Sequence, residues 1–168
     1  MLFLSPYDRA AAVRYAHIWA YGRNPHFYDY EYIGGDCTNF TSQCIYAGGG
    51  IMNFTPTFGW YYINANDKAP AWTGVEYLYR FLTRTDRSVG PHAQEVVFSL
   101  IQPGDIVQLS FDGIGWQHSP VVVAVNHPRS YADILVAAHS YDADNRPLST
   151  YDFRRARFLH IEGVYRSE

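Results

Sequence analysis

The hydrophobic pattern of this chain changes its period near residue 103. Before that point apolar residues recur at helical spacing, as in the stretch that contains Ala12, Ala16 and Trp19. After it they form short runs that are bounded by Gly, Pro and Asp, which is typical of strands joined by turns. Helices followed by an antiparallel meander indicate the α+β class. The sequence therefore predicts N-terminal helices that pack on a C-terminal antiparallel β-sheet.

Two helices are predicted before residue 50. The dipeptide Ser5-Pro6 suits a helix start, with a hydroxyl N-cap and a proline at the first helical position, so we expect a helix over residues 7–21. Asp36 can accept a free backbone N–H and so N-cap a second helix over residues 37–47. The glycines at 48–50 end that helix.

A third helix is expected where Thr73 and Glu76 form a capping box. The turn Pro103-Gly104 then opens the strand-forming half of the chain. Four strands are predicted, over residues 105–111, 118–125, 134–139 and 158–164. The chain shows no internal repeat, low-complexity tract or linker, so residues 1–168 are predicted to form one domain.

Composition argues against several classes of protein. Charged residues are 17% of the chain and the formal net charge is −3, whereas a protein that binds nucleic acid is normally basic. The longest apolar run, residues 120–125, is too short to span a membrane. Two cysteines do not make a disulfide framework. The first residues carry no signal-peptide pattern, so no export signal is predicted in this sequence.

Cys37 is the candidate nucleophile, because it lies in the first turn of a predicted helix. The helix dipole and the free N–H groups there are expected to stabilise a thiolate, and the N–H of Cys37 could hold an oxyanion. Asp36 opposes this by raising the pKa of the thiol, and its carboxylate could instead bind substrate. Cys44 lies about 10 Å further along the helix, too far for a disulfide, and is expected to be a buried apolar residue. Burial is the competing explanation for Cys37 as well.

His118 and His139 are the candidate partners of this cysteine. The midpoint of their numbers, 128.5, falls in the loop over residues 126–130, so the two strands are expected to pair around it. The two histidines would then be near-opposite neighbours with Cβ atoms about 5 Å apart. His139 could accept the ring N–H of His118 and fix its tautomer, as the third member of a catalytic triad does. A purely structural role is the alternative for each.

The sequence also contains residues that could form a zinc site or an aromatic binding cleft. Cys37, His118, His139 and a carboxylate could bind zinc, but the sequence lacks every familiar zinc-ligand spacing, so no metal is predicted. Three tryptophans could line a cleft for a glycan or peptide, although core packing is the commoner role of this residue. These are Trp60, Trp72 and Trp116, of which Trp60 and Trp116 are the candidate substrate-binding residues.

The sequence resembles the bacterial amidase domain family. The resemblance extends over about residues 6–162 and rests above all on the block from Gly34 to Phe40. Further matches are Tyr7-Asp8-Arg9, Asn24-Pro25, Ser42-Gln43-Cys44, Ala47-Gly48-Gly49, Gly59-Trp60, Trp72-Thr73, Pro103-Gly104-Asp105, His118-Ser119 and His139-Ser140. The family is similar to the NlpC-type and CHAP cell-wall peptidases, so the resemblance implies a papain-like fold.

The resemblance also implies the chemistry. Cys37 would be the nucleophile, His118 the base and His139 the residue that orients it, in a hydrolase that cleaves an amide of a peptide or of peptidoglycan without a cofactor. Secretion or attachment to the cell wall would be compatible with such a substrate. Two alternatives stay open on the same fold: a binding module that uses the tryptophans, and an acyltransferase that uses the same Cys–His pair.

Overall fold

The computed structural model describes residues 1–127 and 130–168, and it confirms the α+β class. A mostly antiparallel sheet is accompanied by a few helices. The helices are α1 (Arg9–Trp19), α2 (Cys37–Gly49), α3 (Pro70–Thr73) and α4 (Val75–Leu82). The strands are β1 (Leu2–Ser5), β2 (Tyr62–Asn64), β3 (Asp67–Lys68), β4 (Gly90–Val96), β5 (Ile106–Ser110), β6 (Val121–Val125), β7 (Ile134–Ala138), β8 (Ala143–Pro147) and β9 (Arg155–Ser167). No helix in the described part of the chain is long and apolar enough to cross a membrane.

The main sheet is organised around the long strand β9. This sheet has seven strands in the described part of the chain. Six of them run in the order β1-β9-β5-β6-β7-β8, and the seventh, β4, also pairs with β9. All of these pairs are antiparallel. On one edge of β9 the first half pairs with β5 and the second half with β1, while β4 occupies the other edge. A separate two-stranded hairpin, β2–β3, lies outside this sheet.

Both faces of the sheet are covered by hydrophobic cores. Successive residues of a strand point to opposite faces, and accordingly Val121 and Val123 join the core under the helices whereas Val122 joins the core on the far face. The helix-side core also contains Phe40, and the far core contains Val107. Because both faces are buried, β6 is a continuous apolar run and not an alternating one.

Helix α2 is enclosed by the rest of the protein and carries polar side chains inward. All but two of its residues are buried. Each of these polar groups has a partner: Trp72 Nε1 donates to Asn39 Oδ1 at 3.0 Å, Ser42 Oγ donates to Trp72 O at 2.9 Å, and Tyr15 Oη donates to Gln43 Oε1 at 2.6 Å. Buried polar groups that are satisfied in this way give a helix one orientation. Residue Cys37, at its start, is therefore held in one place.

The second predicted helix is confirmed, but both other predicted helix starts are wrong. Ser5 belongs to β1, where its Oγ donates to Val164 O at 2.8 Å, and α1 begins after Asp8, whose carboxylate accepts from Ala11 N at 3.0 Å. The local sequence favours Ser5 as a helix N-cap, but the pairing of β1 with β9 outweighs this preference. Thr73 ends α3, and α4 begins after Gly74 with no side-chain cap.

The four predicted strands are confirmed as β5, β6, β7 and β9. Three further strands of the main sheet, β1, β4 and β8, were not predicted. Segment β8 reads Ala-Asp-Asn-Arg-Pro and has little intrinsic strand preference, so its pairing with β7 forms it. The predicted β6–β7 connection includes Pro128 and Arg129, which lie outside the described residues.

Candidate active site

The N-terminal turn of α2 is bonded to the segment Gln117–Ser119. Thr41 Oγ1 donates a short hydrogen bond to Ser119 O. One turn earlier, Thr38 Oγ1 lies 3.4 Å from Ser119 Oγ, and Cys37 Sγ lies 3.9 Å from Gln117 O. These contacts bring Cys37 beside the backbone that carries His118, although the two residues are 81 positions apart in sequence.

The backbone geometry around Cys37 leaves donors free near its thiol. It is the first residue of α2, so the N–H groups of the first turn have no acceptor within the helix. The side chain of Asp36 does not cap the helix, contrary to the prediction, because its oxygens are used elsewhere. The residue Cys37 as a whole is 8% exposed.

The surroundings of Cys37 favour the thiol over the thiolate that we expected from the sequence. Burial raises the pKa of the Cys37 thiol, and the charge of Asp36 raises it further. Hydrogen bonds from Thr38 and from the backbone lower the pKa by less. Hydrogen bonding therefore offsets only part of the effect of burial on this pKa.

His118 is a buried, neutral imidazole. Its side chain packs against Tyr151, with ring centroids 5.5 Å apart, and against Phe111, at 6.3 Å. Burial, together with the charge of Arg146, lowers its pKa from 6.5 to about 4. The Nε2 atom is buried and has no hydrogen-bond partner in the described structure. An unpaired buried nitrogen of this kind is available to take a proton from a neighbouring group.

A cleft of about 570 Å³ opens beside His118. Its walls come from the β5–β6 connection, the β7–β8 turn and the segment after β8. They include a second buried polar atom without a partner, the Oη of Tyr151. The lining residues are Phe111, Gln117, His118, Ser140, Tyr141, Arg146, Tyr151 and Asp152. His118 and Tyr151 thus share this cleft with Gln117, whose carbonyl oxygen lies 3.9 Å from Cys37 Sγ.

The predicted pairing of His118 with His139 is wrong. Strands β6 and β7 do pair, but Val121 lies opposite Ala137, one residue out of the predicted register. A shift of one residue turns a side chain to the other face of the sheet. His118 instead forms a bridge with Leu109 of β5, and the ring of His139 lies on the helix side, stacked on Phe40 at 4.1 Å between centroids.

His139 and Asp36 form a buried pair behind the thiol. His139 Nδ1 lies 2.5 Å from Asp36 Oδ2, and His139 Nε2 lies 2.8 Å from Trp19 O. A carbonyl oxygen can only accept, so Nε2 carries a proton, and the second proton of the pair lies between Nδ1 and the carboxylate. Both ring nitrogens are thus used by groups other than His118.

Asp36 is held from several sides. Its Oδ1 accepts from Tyr30 N at 2.8 Å and from Asn39 Nδ2 at 2.9 Å. Burial favours the neutral acid, but the bonds from His139, Asn39 and Tyr30 outweigh it, and the pKa of Asp36 is lowered. The carboxylate is 1% exposed, so its placement fits the support of α2 better than contact with substrate.

Neither tryptophan chosen as a substrate-binding candidate lies in the cleft wall. Trp60 is fully buried in the helix-side core, 4.7 Å between ring centroids from Trp72, which is also buried. Trp116 is half-buried, with the guanidinium of Arg157 4.1 Å from its ring centroid and that of Arg155 at 5.1 Å. The rings therefore pack against protein groups.

Sequence reasoning missed Tyr151 and Arg146, which lie opposite His118 in the cleft. No local pattern marks them, because the segment that carries them reaches the site only through the pairing of β8 with β7. The turn before β8 gives a weaker signal: Ser140 and Tyr141 both have a φ of +62°. Such backbone is uncommon outside glycine and often occurs at functional sites.

Within residues 1–127 and 130–168, no three His, Cys, Asp or Glu side chains are grouped so that they could hold a metal ion.

Comparison with known proteins gives two matches. The family model described as "Putative amidase domain" matches residues 6–161. The uncharacterized protein YhbB of Bacillus subtilis (strain 168) is 32% identical in an alignment of 167 positions that covers 92% of this chain. The chain spans about half the length of that relative, 50%. No solved structure matches the chain significantly.

Proposed function

Since the chain belongs to the amidase domain family, whose name points to hydrolysis of amide bonds, we propose that it is a cysteine-dependent amide hydrolase. Cys37 is the nucleophile and His118 the general base. The observation that supports this assignment is the bonding of the first turn of α2 to Gln117–Ser119, the segment that contains His118, whose Nε2 is buried and unpaired.

The nucleophile is activated during attack and not before it. Both groups are neutral at rest, because burial raises the pKa of Cys37 and lowers that of His118. As Sγ attacks the carbonyl carbon of the amide, the imidazole takes the thiol proton. The imidazolium then gives this proton to the leaving amine as the C–N bond breaks, which leaves a thioester on Cys37. Water, deprotonated by His118, releases the carboxylic acid and restores the thiol.

The negative charge of the tetrahedral intermediate needs donors that are already in place. The N–H of Cys37 lies at the open end of α2, where the helix supplies no acceptor and the Asp36 side chain provides no cap. A single well-placed donor of this kind contributes about 3 kcal/mol to the stability of such an intermediate. The amide of the nucleophile therefore serves as the first oxyanion donor.

His139 acts through Asp36 as a positioning residue. The pair fixes the residue that precedes Cys37, and Ser140 supports the same point because Asp36 N donates to its Oγ at 3.2 Å. This role replaces the one expected from the sequence, in which His139 accepts the ring N–H of His118. The papain-like fold stays part of the proposal, on the strength of a nucleophile at a helix start beside an antiparallel sheet.

The proposed substrate is an amide in a peptide or in the peptide part of peptidoglycan. The cleft, at about 570 Å³, has room for a few amino-acid residues. A binding module based on aromatic side chains finds less support, because Trp60 and Trp72 are buried.

The test uses purified peptidoglycan and its soluble stem peptides, with products identified by mass spectrometry. We expect the protein to release free amino groups, and Cys37→Ala and His118→Gln to abolish release while their circular dichroism spectra stay native. Cys44→Ala is the matched control, because Cys44 is buried within the same helix and should keep activity. Undiminished turnover by Cys37→Ala would refute the mechanism. New amides in the presence of an added amine would indicate acyl transfer.

A further inference from the structure

Arg146 is a cation fixed in the wall of the cleft. Its Nε donates to Thr150 Oγ1 at 2.7 Å and its Nη2 donates to Thr150 O at 3.1 Å. The guanidinium carbon lies 3.6 Å from the centroid of the Tyr151 ring. These contacts use neutral partners and hold the planar group in one orientation beside His118, which lines the same cleft.

In the described part of the chain, Arg146 lacks an acidic partner, as do Arg84 and Arg166, but those two donate to backbone carbonyls and do not line the cleft. Other arginines of the protein are paired with carboxylates. Arg9 pairs with Asp105 at 2.7 Å, Arg23 with Asp142 at 2.9 Å and Arg157 with Glu76 at 2.8 Å. Among residues 1–127 and 130–168, Arg146 makes no ion pair, and its Nη1 makes no hydrogen bond. A planar guanidinium with free donors is suited to a carboxylate, which it can bind through two parallel hydrogen bonds.

We propose that Arg146 binds a carboxylate group of the substrate, so that the enzyme acts on amides that lie close to a free carboxylate. This inference rests on the proposed function and adds the class of substrate. In a peptide, the carboxylate is that of an acidic side chain or of a chain end near the scissile bond. Asp152 lines the same cleft, and its negative charge repels a carboxylate. We therefore expect the preferred substrates to have a single carboxylate, directed at Arg146.

Binding of a carboxylate would also prepare the base. The charge of Arg146 is one of the two causes that lower the pKa of His118, the other and larger being burial. A carboxylate on Arg146 offsets that charge, so the imidazole becomes more basic when such a substrate is bound. Tyr151 lies between the two, with its ring against both His118 and Arg146. An amide without a nearby carboxylate would leave His118 a weaker base.

The first test compares two alkylating reagents of nearly equal size, iodoacetate and iodoacetamide, on Cys37. Only iodoacetate carries a carboxylate. We measure the ratio of its rate to that of iodoacetamide at pH 8.5 and low salt, for the wild type and for Arg146→Gln. The expected result is a decrease in this ratio on the order of tenfold in the variant, because a single charge in a partly desolvated cleft acts over several ångströms.

Two further variants test whether a change in this rate ratio is caused by loss of the positive charge of Arg146. Arg146→Lys keeps the charge and should keep most of the ratio. Arg14→Gln removes an exposed arginine of α1 and should leave the ratio unchanged. An unchanged ratio in Arg146→Gln would overturn the carboxylate inference and leave the proposed function intact. Failure of both reagents to label Cys37 would overturn the proposed function together with the inference that depends on it.

A second readout uses turnover of the peptidoglycan stem peptides. Their carboxylates are converted to amides with a carbodiimide and ammonia, and native and modified peptides are compared in one reaction. Wild-type protein should strongly prefer the native peptides, and Arg146→Gln should lose this preference. Equal cleavage of both peptides by the wild type refutes the inference alone, whereas cleavage of neither refutes the proposed substrate.

Discussion

At the scale of single residues, burial decides the state of the proposed catalytic pair. The N-terminus of a helix lowers the pKa of a thiol, whereas burial in apolar surroundings raises it. Here the thiol of Cys37 is covered, Asp36 adds a negative neighbour, and His118 is itself too buried to be charged. In the proposed mechanism the pair therefore rests as a thiol and an imidazole.

Cys37 should consequently alkylate slowly at neutral pH. We expect its reaction with iodoacetamide to rise with a midpoint above the value of about 8.5 for an ordinary cysteine, because burial raises its pKa. Cys44, which is fully buried, should stay unlabelled in the folded protein. Mass spectrometry of each site across pH 5–10 measures both. Fast labelling of Cys37 at pH 5–6 would mean that a thiolate–imidazolium pair exists after all.

A second prediction concerns the buried contact between Asp36 and His139. Asp36→Asn leaves the Nδ1 proton of His139 without its carboxylate, and we expect a loss of about 3–5 kcal/mol in the free energy of unfolding. Urea denaturation at pH 7 measures it. Asp67→Asn is the control, because Asp67 is exposed and its change should cost far less.

The same variant separates positioning from simple stability. At a temperature where Asp36→Asn is still folded, kcat should fall more than KM rises, because Cys37 loses the support of its preceding residue. Equal stability of the variant and the wild type would contradict the role assigned to the pair.

At the scale of elements, the site depends on how α2 meets the segment before β6. The polar residues Thr38 and Thr41 face inward from a buried helix and bond Ser119. Ser119 Oγ also accepts from Gln108 Nε2 of β5 at 3.1 Å. A helix that carried only apolar residues on this face could slide against the sheet, whereas these bonds set one position along its axis.

Thr41→Val tests this contact with a side chain of the same shape. The variant leaves the carbonyl of Ser119 without its donor, and we expect a loss of about 1–3 kcal/mol in the free energy of unfolding. Thr41→Ser keeps the hydroxyl and should recover most of this loss, and Thr85→Val changes an exposed threonine as the matched control. Urea denaturation of the three variants measures the effect. A neutral Thr41→Val would show that packing alone places α2.

At the scale of the whole molecule, the buried imidazole of His118 links the site to stability against acid. In the unfolded chain this ring binds a proton near pH 6.5, but in the folded protein only near pH 4. Between these values the unfolded state binds more protons, so stability falls as the pH falls. The stabilisation is complete above pH 6.5 and is lost by about pH 4, and it amounts to about 3 kcal/mol.

His118→Gln should therefore flatten the acid side of the stability curve. We expect the wild type to lose about 3 kcal/mol more than the variant between pH 7 and pH 4, as measured by urea denaturation at each pH. His26→Gln, in an exposed loop, should follow the wild type. Parallel losses in wild type and His118→Gln would show that His118 titrates as an exposed histidine does.

Much of this protein follows from its sequence, because local patterns report local physics. The change of period near residue 103 predicted the α+β class, and the stretch from Asp36 to Gly50 predicted α2 with its cysteine at the first position. The runs that became β5, β6 and β7 were recognisable because their apolar residues must be buried on both faces. The candidate nucleophile and base were identified at this level.

Only the tertiary structure decided which groups meet. A register shift of one residue sent His139 to the helix side and His118 to the cleft, and no pattern within either strand contains that shift. Strand β8, weak in its own preference, forms by pairing with β7 and brings Arg146 and Tyr151 to the site. The pKa values of Cys37 and His118 depend on the same assembly, because burial is a property of the packed molecule and not of the residues that surround each one in sequence.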